Sequence, residues 1–202
     1  MAAPRKSTER AVKRLARYLR RYPAGVFHFG WQPQQSTIDV LTDSDWGGCK
    51  ETRRSTSGGL IMVGDHCIKQ WSKTQACVSL SSGEAELYSM VKGCTEGIGM
   101  QSVASELGRM QKLRLATDSS AAKGAAMRTG AGRLKHIQTS QLWIQEKINR
   151  GEVTVKKIPR NINTADLFTH HWSSREGASH LPRMGFYAAE GVEDHGAKPV
   201  RK

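Results

Sequence analysis

The feature that most constrains the fold is a series of three short apolar segments, each bounded by turn residues. They read "TIDVLT", "GGLIMVG" and "HCIKQWS" and lie between residues 37 and 72. Gly64 and Asp65 separate the second segment from the third, as a tight turn between strands would. Short segments of this kind in direct succession predict an antiparallel meander of three strands.

The pattern changes to a helical one from Gly83 to about Leu107. Leu87, Met90, Val91 and Cys94 recur on one face of this predicted helix. Three glycines, Gly93, Gly97 and Gly99, weaken it by roughly 1 kcal/mol each relative to alanine. We therefore expect either a closely packed partner beside these glycines or a loose second half of the helix.

The remaining segments alternate between strand and helix patterns. "KLRLATDSSAAKGAAM" predicts a short strand that leads into a helix, and "HIQTSQLWIQEKINRG" predicts a further helix that ends at Gly151. "EVTVKKIP" predicts a strand, and a short helix is expected near "NTADLF". The order β-β-β-α-β-α-α-β-α predicts an α/β fold with a mixed sheet and helices on its faces.

The two ends differ from this central part in composition. At the N-terminus, Val12, Leu15, Ala16 and Leu19 form the apolar stripe of a basic helix that stops before Pro23. Such a helix packs against a domain, contacts nucleic acid or directs targeting, although Glu9 fits targeting poorly. We assign residues 1–35 to this helix and its linker, 36–175 to the main domain, and 176–202 to a flexible tail.

The charge balance indicates the class of partner. Lys plus Arg is 31 against 18 for Asp plus Glu, a formal net charge of +13. This excess of positive charge favours nucleic acid, because neutralised phosphates release counterions. The four cysteines form no C-x-x-C pair, and no signal peptide or long apolar run occurs. We therefore expect an intracellular protein, neither secreted nor membrane-bound.

Four acidic residues fall at the ends of the predicted elements. Asp43 ends the first strand, Glu86 opens the long helix, Asp118 ends the fourth strand and Asp166 opens the final helix. Each has an ordinary explanation on its own, because acidic residues cap helices and occur in turns. Their joint placement indicates more, since the carboxyl ends of parallel strands meet at one edge of a sheet.

Carboxylates that meet at one place require a counter-charge. They repel one another, which raises their pKa values unless cations lie between them. Mg²⁺ prefers oxygen ligands and commonly binds together with substrate phosphates. Two such ions about 4 Å apart can hold the attacking and leaving oxygens of a phosphoryl displacement. The sequence therefore predicts a site for two Mg²⁺ ions, with Mn²⁺ as an alternative.

Five segments occur in a distinctive order: "TDSDWGGCKETRRSTSGG", "IKQWSKTQACVSLSSGEAEL", "TDSSAA", "LKHI" and "TADLFT". Together they resemble the ribonuclease H domain of copia-type retrotransposon Pol polyproteins, and the likeness covers roughly residues 10–170. "AVKRLARYL" is similar to the end of the preceding reverse transcriptase region. The resemblance implies a ribonuclease H-like fold, with a five-stranded mixed sheet of three antiparallel strands and then two parallel ones, and helices on both faces.

The resemblance also implies an activity, which is hydrolysis of the RNA strand of RNA–DNA hybrids with two Mg²⁺ ions. The implied catalytic and metal-binding residues are Asp43, Glu86, Asp118 and Asp166. A water activated at a metal bridged by Asp43 would attack, while a second metal stabilises the departing 3′ oxygen. The implied partners are the hybrid and the reverse transcriptase region of the same polyprotein. Asp45 and Glu84 lie nearby but are weaker candidates.

Within the resembling segments, six residues are candidates for contact with nucleic acid. They are Arg53, Arg54, Lys73, Gln75, Lys135 and His136. Arg53 and Arg54 fit a solvated surface equally well, and the spacing gives no role for His136.

Histidines mark two departures from related enzymes. Cellular ribonucleases H often carry a histidine shortly before the last aspartate, and "KKIPRNINTA" has none. His170 and His171 stand where the copia-type family more often shows lysine. Adjacent histidines face different ways, so we do not expect them to form a zinc site together.

Two other functions compete with the nuclease. A catalytically decayed module would keep the basic surface and bind hybrids without cutting them. An integrase or transposase of the same fold would use three acids at a different spacing, and it would leave "RRSTSG" unexplained.

Overall fold

The computed structural model describes residues 6–132, 136, 137 and 139–189. The α-helices are α1 Lys6–Arg21, α2 Ser82–Glu106, α3 Ser120–Met127, α4 Trp143–Asn149 and α5 Ser174–His180. The strands are β1 Ala24–Phe27, β2 Thr37–Ser44, β3 Thr56–Val63, β4 His66–Thr74, β5 Lys112–Thr117, β6 Val153–Lys157 and β7 Phe186–Ala189. Short 3₁₀ helices span Thr139–Leu142, Arg160–Ile162, Thr164–Phe168 and Leu181–Met184.

The main sheet has five strands in the order β4-β3-β2-β5-β6. β2, β3 and β4 pair antiparallel, whereas β2–β5 and β5–β6 pair parallel. Gly64, with a φ of 60°, makes the turn between β3 and β4. The predicted mixed sheet is therefore confirmed, and it brings the carboxyl ends of β2 and β5 to one edge.

Both faces of the sheet are covered. On one face, α2, α3 and α4 enclose the larger core, which includes Val40, Leu87, Met90, Leu115 and Ile144. On the other face a smaller cluster joins Leu60 and Met62 of β3 to Ala165 and Met184 of the 3₁₀ helices. The predicted helices on both faces are thus confirmed, although 3₁₀ helices contribute much of the second layer.

The glycines of α2 mark a close approach to the sheet. A Cβ at Gly93 would lie 2.4 Å from Thr42 Cγ2, and a Cβ at Gly97 would lie 2.6 Å from Leu113 Cδ1. Of the two expectations for this helix, close packing is therefore correct. Ser89 adds a direct link by donating a hydrogen bond to the carbonyl of Asp43 at 2.6 Å. α2 is thereby held against the end of β2.

The sequence analysis did not predict a small second sheet that joins the two ends of the described chain. β1 pairs antiparallel with β7, and Phe27 stacks edge-on against Phe186 with ring centroids 5.0 Å apart. α5, a 3₁₀ helix and β7 occupy residues 174–189, so the segment predicted as a tail from residue 176 contains regular structure up to 189. Residues 190–202 lie outside the described part.

α1 forms as predicted but buries none of its residues. Val12, Leu15 and Leu19 of its apolar stripe remain more than half exposed. The described chain therefore does not provide the packing surface that this stripe fits. Among the described helices, none combines the length and apolarity needed to cross a bilayer.

Candidate metal centre and nucleic-acid interface

Four separate elements bring acidic side chains to one edge of the sheet. Asp43 lies near the end of β2, Asp118 directly follows β5, Glu86 lies in α2, and Asp166 lies in the 3₁₀ helix Thr164–Phe168. In the parallel pairing of β2 with β5, Leu41 lies opposite Ala116. Two residues further along both strands, the same register places Asp43 beside Asp118. The convergence expected from parallel strand ends is present.

These side chains form two overlapping groups that can each hold a cation. Oxygen atoms of Asp43, Glu86 and Asp118 all lie within 4.8 Å of one another. Asp43, Asp166 and His170 form the second group within the same limit. Asp43 belongs to both groups, so one carboxylate can bridge two neighbouring cations.

Helix capping does not account for these acids. Ser119 caps α3 by accepting a hydrogen bond from the backbone N–H of Ala122, and Asn163 caps the 3₁₀ helix by accepting one from Ala165. Because neighbouring polar residues perform the capping, the carboxylates of Asp118 and Asp166 are left for another role.

The electrostatics of the cluster are unfavourable for the protein alone. Burial raises the pKa of Asp43 to about 6, and the nearby Asp166 and Asp118 add to the rise. Burial also raises the pKa of Glu86 to about 9, with contributions from Asp43 and Asp118. The pKa of Asp118 is raised by burial and by Asp166. Desolvation and mutual repulsion are the physical causes, and a cation would relieve both.

Two oxygens in the cluster lack a hydrogen-bond partner. Glu86 Oε2 and Asp166 Oδ1 are both shielded from solvent and unpaired. Glu86 is only 9% exposed, so solvent does not satisfy its unpaired oxygen. A buried, unpaired carboxylate oxygen is costly unless a cation or proton satisfies it. The donor set is dominated by hard oxygen atoms, which fits Mg²⁺ or Mn²⁺.

Two uncharged residues position the acids. Thr169 donates a hydrogen bond from its hydroxyl to Asp43 Oδ2. Asn163 is fully buried and donates to the carbonyl of Thr42 at 3.1 Å, which ties the 3₁₀ helix Thr164–Phe168 to β2. Asn163 also bonds to Asp118, which opposes the rise in the pKa of Asp118. The sequence analysis assigned neither residue a role.

The neighbouring acids are engaged elsewhere. Asp45 accepts a hydrogen bond from the backbone N–H of Thr56. Glu84 accepts hydrogen bonds from the Tyr88 hydroxyl at 2.6 Å, from His136 Nε2 at 2.8 Å and from the Leu80 N–H at 2.9 Å. Both carboxylates are therefore occupied by the protein, consistent with their ranking as weaker candidates.

The candidate nucleic-acid contacts fall into different environments. Arg53, Arg54 and Lys73 are exposed, the first two in the loop between β2 and β3 and the third on the edge strand β4. Gln75 is 7% exposed and donates to Ser57 and to the Ala85 carbonyl. Its side chain is turned into the protein, which corrects the prediction that it contacts nucleic acid.

The "LKHI" candidates differ from the rest. His136 is partly exposed and paired with Glu84, so it is tied to the start of α2. Lys135 lies outside the described residues.

A cleft of about 360 Å³ opens beside the cluster. Thr169 and His170 line it on one side, and Gly48, Cys49 and Thr56 line it on the other. The cleft adjoins the cluster through Thr169 and His170, and Gly48 and Cys49 belong to the loop that also carries Arg53 and Arg54.

His170 is the residue of the cluster that the sequence analysis missed. Its Nε2 lies 3.7 Å from Asp43 Oδ2 and 3.8 Å from Asp166 Oδ1. The sequence spacing indicates this proximity, because His170 comes four residues after Asp166 and residues four apart on a predicted helix share a face. The histidine pair was considered only as a zinc site of its own.

No protein-family model matches the chain. It is 33% identical over 168 residues to the retrovirus-related Pol polyprotein from transposon TNT 1-94 of Nicotiana tabacum, a match that covers 82% of this chain and 12% of that polyprotein. It is 27% identical over 194 residues to the corresponding polyprotein from transposon RE1 of Arabidopsis thaliana, covering 90% and 13%. The chain thus spans a small part of these relatives.

Among solved structures, the fold is similar to LC11-RNase H1, which was isolated from compost by a metagenomic approach. The identity is 14%, the TM-score is 0.50, and the match covers 67% of this chain and 94% of that protein. At this identity the likeness concerns the fold alone.

Proposed function

Because this chain is homologous to part of the retrovirus-related Pol polyproteins of copia-type transposons and has a ribonuclease H fold, we propose that it hydrolyses the RNA strand of RNA–DNA hybrids. The observation that carries the proposal is the pair of overlapping cation-binding groups that share Asp43. The unpaired oxygens of Glu86 and Asp166 support it.

The residues have distinct roles in this reaction. Asp43, Glu86 and Asp118 would hold one Mg²⁺ ion, and Asp43 and Asp166 would contribute to the second. When bound, the two ions lower the pKa of the attacking water and neutralise the charge that develops on the leaving oxygen. The carboxylate of Asp43 would bind both ions, and the hydrogen bond from Thr169 would fix the rotamer of Asp43. The water oxygen bonds to phosphorus, the bond from phosphorus to the 3′ oxygen breaks, and the products are a 3′-hydroxyl and a 5′-phosphate.

Binding of the hybrid is proposed to follow the basic side of the cleft. Arg53 and Arg54 are exposed cations in the same loop as Gly48 and Cys49 of the cleft, and exposed Lys73 follows Ser72, which also lines it. They would contact backbone phosphates, which fix the register of the duplex but not its sequence. The net charge of +13 adds a long-range attraction for the hybrid. The 2′-hydroxyl, which only the RNA strand carries, would provide discrimination against DNA.

The chain is proposed to act next to a polymerase region of a longer polyprotein, within the cell. Its relatives are polyproteins of which it spans 12% and 13%. The exposed apolar stripe of α1 is consistent with a neighbouring region on that side.

The direct test is cleavage of a hybrid with end-labelled RNA in the presence of Mg²⁺. We expect cleavage that chelator stops and that Asp43→Asn abolishes. Asp39→Asn is the matched control, because Asp39 lies on the same strand and the same side of the sheet but is paired with Arg114. Equal cleavage by wild type and Asp43→Asn would contradict the proposal. Tight binding of the hybrid without cleavage, in Mg²⁺ and in Mn²⁺, would favour the decayed binding module instead.

A further inference from the structure

We propose that His170 is a metal ligand through Nε2 and that it converts the Asp43–Asp166 position into a mixed nitrogen and oxygen site that prefers Mn²⁺ to Mg²⁺. The inference rests on the proposed metal-dependent function and adds a residue and an ion preference to it. The other position, formed by Asp43, Glu86 and Asp118, has oxygen ligands only. The two positions would therefore differ in the ions they select.

The distances fit shared ligation better than a direct contact. His170 Nε2 lies 3.7 Å from Asp43 Oδ2 and 3.8 Å from Asp166 Oδ1. Both separations are too long for a hydrogen bond. Two ligand atoms on one octahedral ion are about 3 Å apart when adjacent and about 4.2 Å apart when opposite, given metal–ligand bonds of about 2.1 Å. The observed separations lie between these two values, so a side-chain shift of less than about 1 Å on binding would bring the atoms to adjacent positions.

The second observation is the unpaired oxygen that faces the imidazole. Asp166 Oδ1 is buried without a hydrogen-bond partner. Arg160 lies 3.8 Å from the other oxygen of this carboxylate, Oδ2. The oxygen nearer to His170 therefore has unused capacity, which a cation held between it and the imidazole would satisfy.

Local structure holds His170 in this position. Its backbone N–H donates to the carbonyl of Asp166 at 3.2 Å, which closes one helical turn and sets the two side chains on the same face. The preceding residue, Thr169, bonds to Asp43 through its hydroxyl. The imidazole is thus presented to Asp43 and Asp166 by the same turn that orders them.

The chemistry of imidazole explains the expected preference. Neutral imidazole is a good ligand for transition-metal ions, whereas Mg²⁺ binds oxygen almost exclusively. A lysine at this position would bring a positive charge and, when protonated, no lone pair. The histidine at position 170 therefore changes what this position can bind.

The test measures metal binding to the purified full chain, independently of cleavage. Mn²⁺ and Mg²⁺ are titrated separately into wild type, His170→Ala and His170→Lys by calorimetry, and pulsed electron paramagnetic resonance detects nitrogen coupled to bound Mn²⁺. His171→Ala is the control, because it removes an adjacent exposed imidazole. Circular dichroism verifies that each variant is folded.

We expect His170→Ala to weaken the tightest Mn²⁺ binding on the order of ten-fold or more and to change Mg²⁺ binding much less. The nitrogen coupling should vanish in His170→Ala and persist in His171→Ala. His170→Lys should weaken the binding of both Mn²⁺ and Mg²⁺. Unchanged Mn²⁺ affinity in His170→Ala, or nitrogen coupling that survives in it, would overturn the inference, even if the wild type cleaves hybrids. If the wild type does not cleave hybrids but its nitrogen coupling to Mn²⁺ is lost in His170→Ala, the proposed function is refuted and the ligand assignment is kept.

Discussion

Glu84 and Glu86 lie two residues apart on α2 and are both buried, but their surroundings differ sharply. Glu84 receives hydrogen bonds from Tyr88, His136 and the Leu80 N–H. Although burial raises the pKa of Glu84, these hydrogen bonds outweigh it, and the pKa is lowered. Glu86 has an unpaired oxygen, and burial together with three acidic neighbours raises its pKa to about 9.

The contrast shows that burial alone does not decide what a carboxylate does. The donors around Glu84 satisfy its charge within the protein, so it stabilises the fold as an anion. Glu86 faces other carboxylates, so its charge requires a proton or a cation from outside. A buried acid with an unpaired oxygen is therefore the better guide to a functional site on this helix.

The largest expected effect is on cleavage by Glu86→Gln. We expect the cleavage rate to fall by about 100-fold or more, because the amide keeps the shape of the side chain but removes a negative charge from the cation site. The measurement is the initial rate on a labelled hybrid. Glu84→Gln is the matched control and should change the rate only a few-fold for folded protein. Similar losses in both variants would remove the distinction between the two glutamates.

The next effect is on stability and falls on the other glutamate. Glu84→Ala should lower the free energy of unfolding by about 2–3 kcal/mol, because it leaves a hydroxyl, an imidazole and a backbone N–H without their acceptor. Urea denaturation in chelator measures this. Glu86→Ala should cost less, since one oxygen of Glu86 has no hydrogen-bond partner to lose. A greater loss for Glu86→Ala would contradict the comparison.

The contributions of Glu84 and Glu86 to the free energy of unfolding should depend on pH with opposite signs. The raised pKa values of Asp43 and Glu86 mean that the folded state holds protons that the unfolded state releases. Metal-free protein should therefore lose stability as pH rises from about 4 to about 9. The lowered pKa of Glu84 acts the other way, and its contribution is lost as pH falls below about 4.5.

Urea denaturation across this pH range, with chelator and with Mg²⁺, tests these signs. Glu86→Gln should flatten the decline toward high pH, and Mg²⁺ should do the same in wild type. Glu84→Gln should alter only the acid side. An identical decline in wild type and Glu86→Gln would show that Glu86 does not titrate as described.

The smallest effect concerns the partner of Glu84. His136→Ala should cost about 0.5–1 kcal/mol, because the imidazole is partly exposed and water can replace much of the pair. A double-mutant cycle with Glu84→Gln isolates the coupling between the two side chains. A coupling near zero would leave Tyr88 and the Leu80 N–H as the donors that matter.

Much of the fold was predictable because it depends on local pattern. The strands β2, β3 and β4 and the helix α2 follow from short apolar runs and helical spacing, and the parallel pairing of β2 with β5 follows from the intervening helix. The pairing of β1 with β7 was not predictable. Both strands are four residues long, and they meet across most of the described chain.

The site was predictable in part for a related reason. Asp43 and Asp118 lie at the ends of neighbouring parallel strands, so their positions in the sequence also predict that they lie at the same edge of the sheet. The roles of Gln75, Asn163 and His170 depend instead on which side chains lie opposite them. Gln75 is held by Ser57 and Ala85, and Asn163 is held by Thr42. No periodicity records such partners.

The sequence by itself determined the order of the elements, the mixed sheet and the four acids at the ends of these elements. Local propensity and the geometry of parallel strands are sufficient for that. Only the tertiary structure decided which acids are satisfied and which are not, because that depends on donors contributed by distant segments. Glu84 and Glu86 are equivalent as residue types in a sequence, and the side chains around them make one a structural anion and the other a candidate ligand.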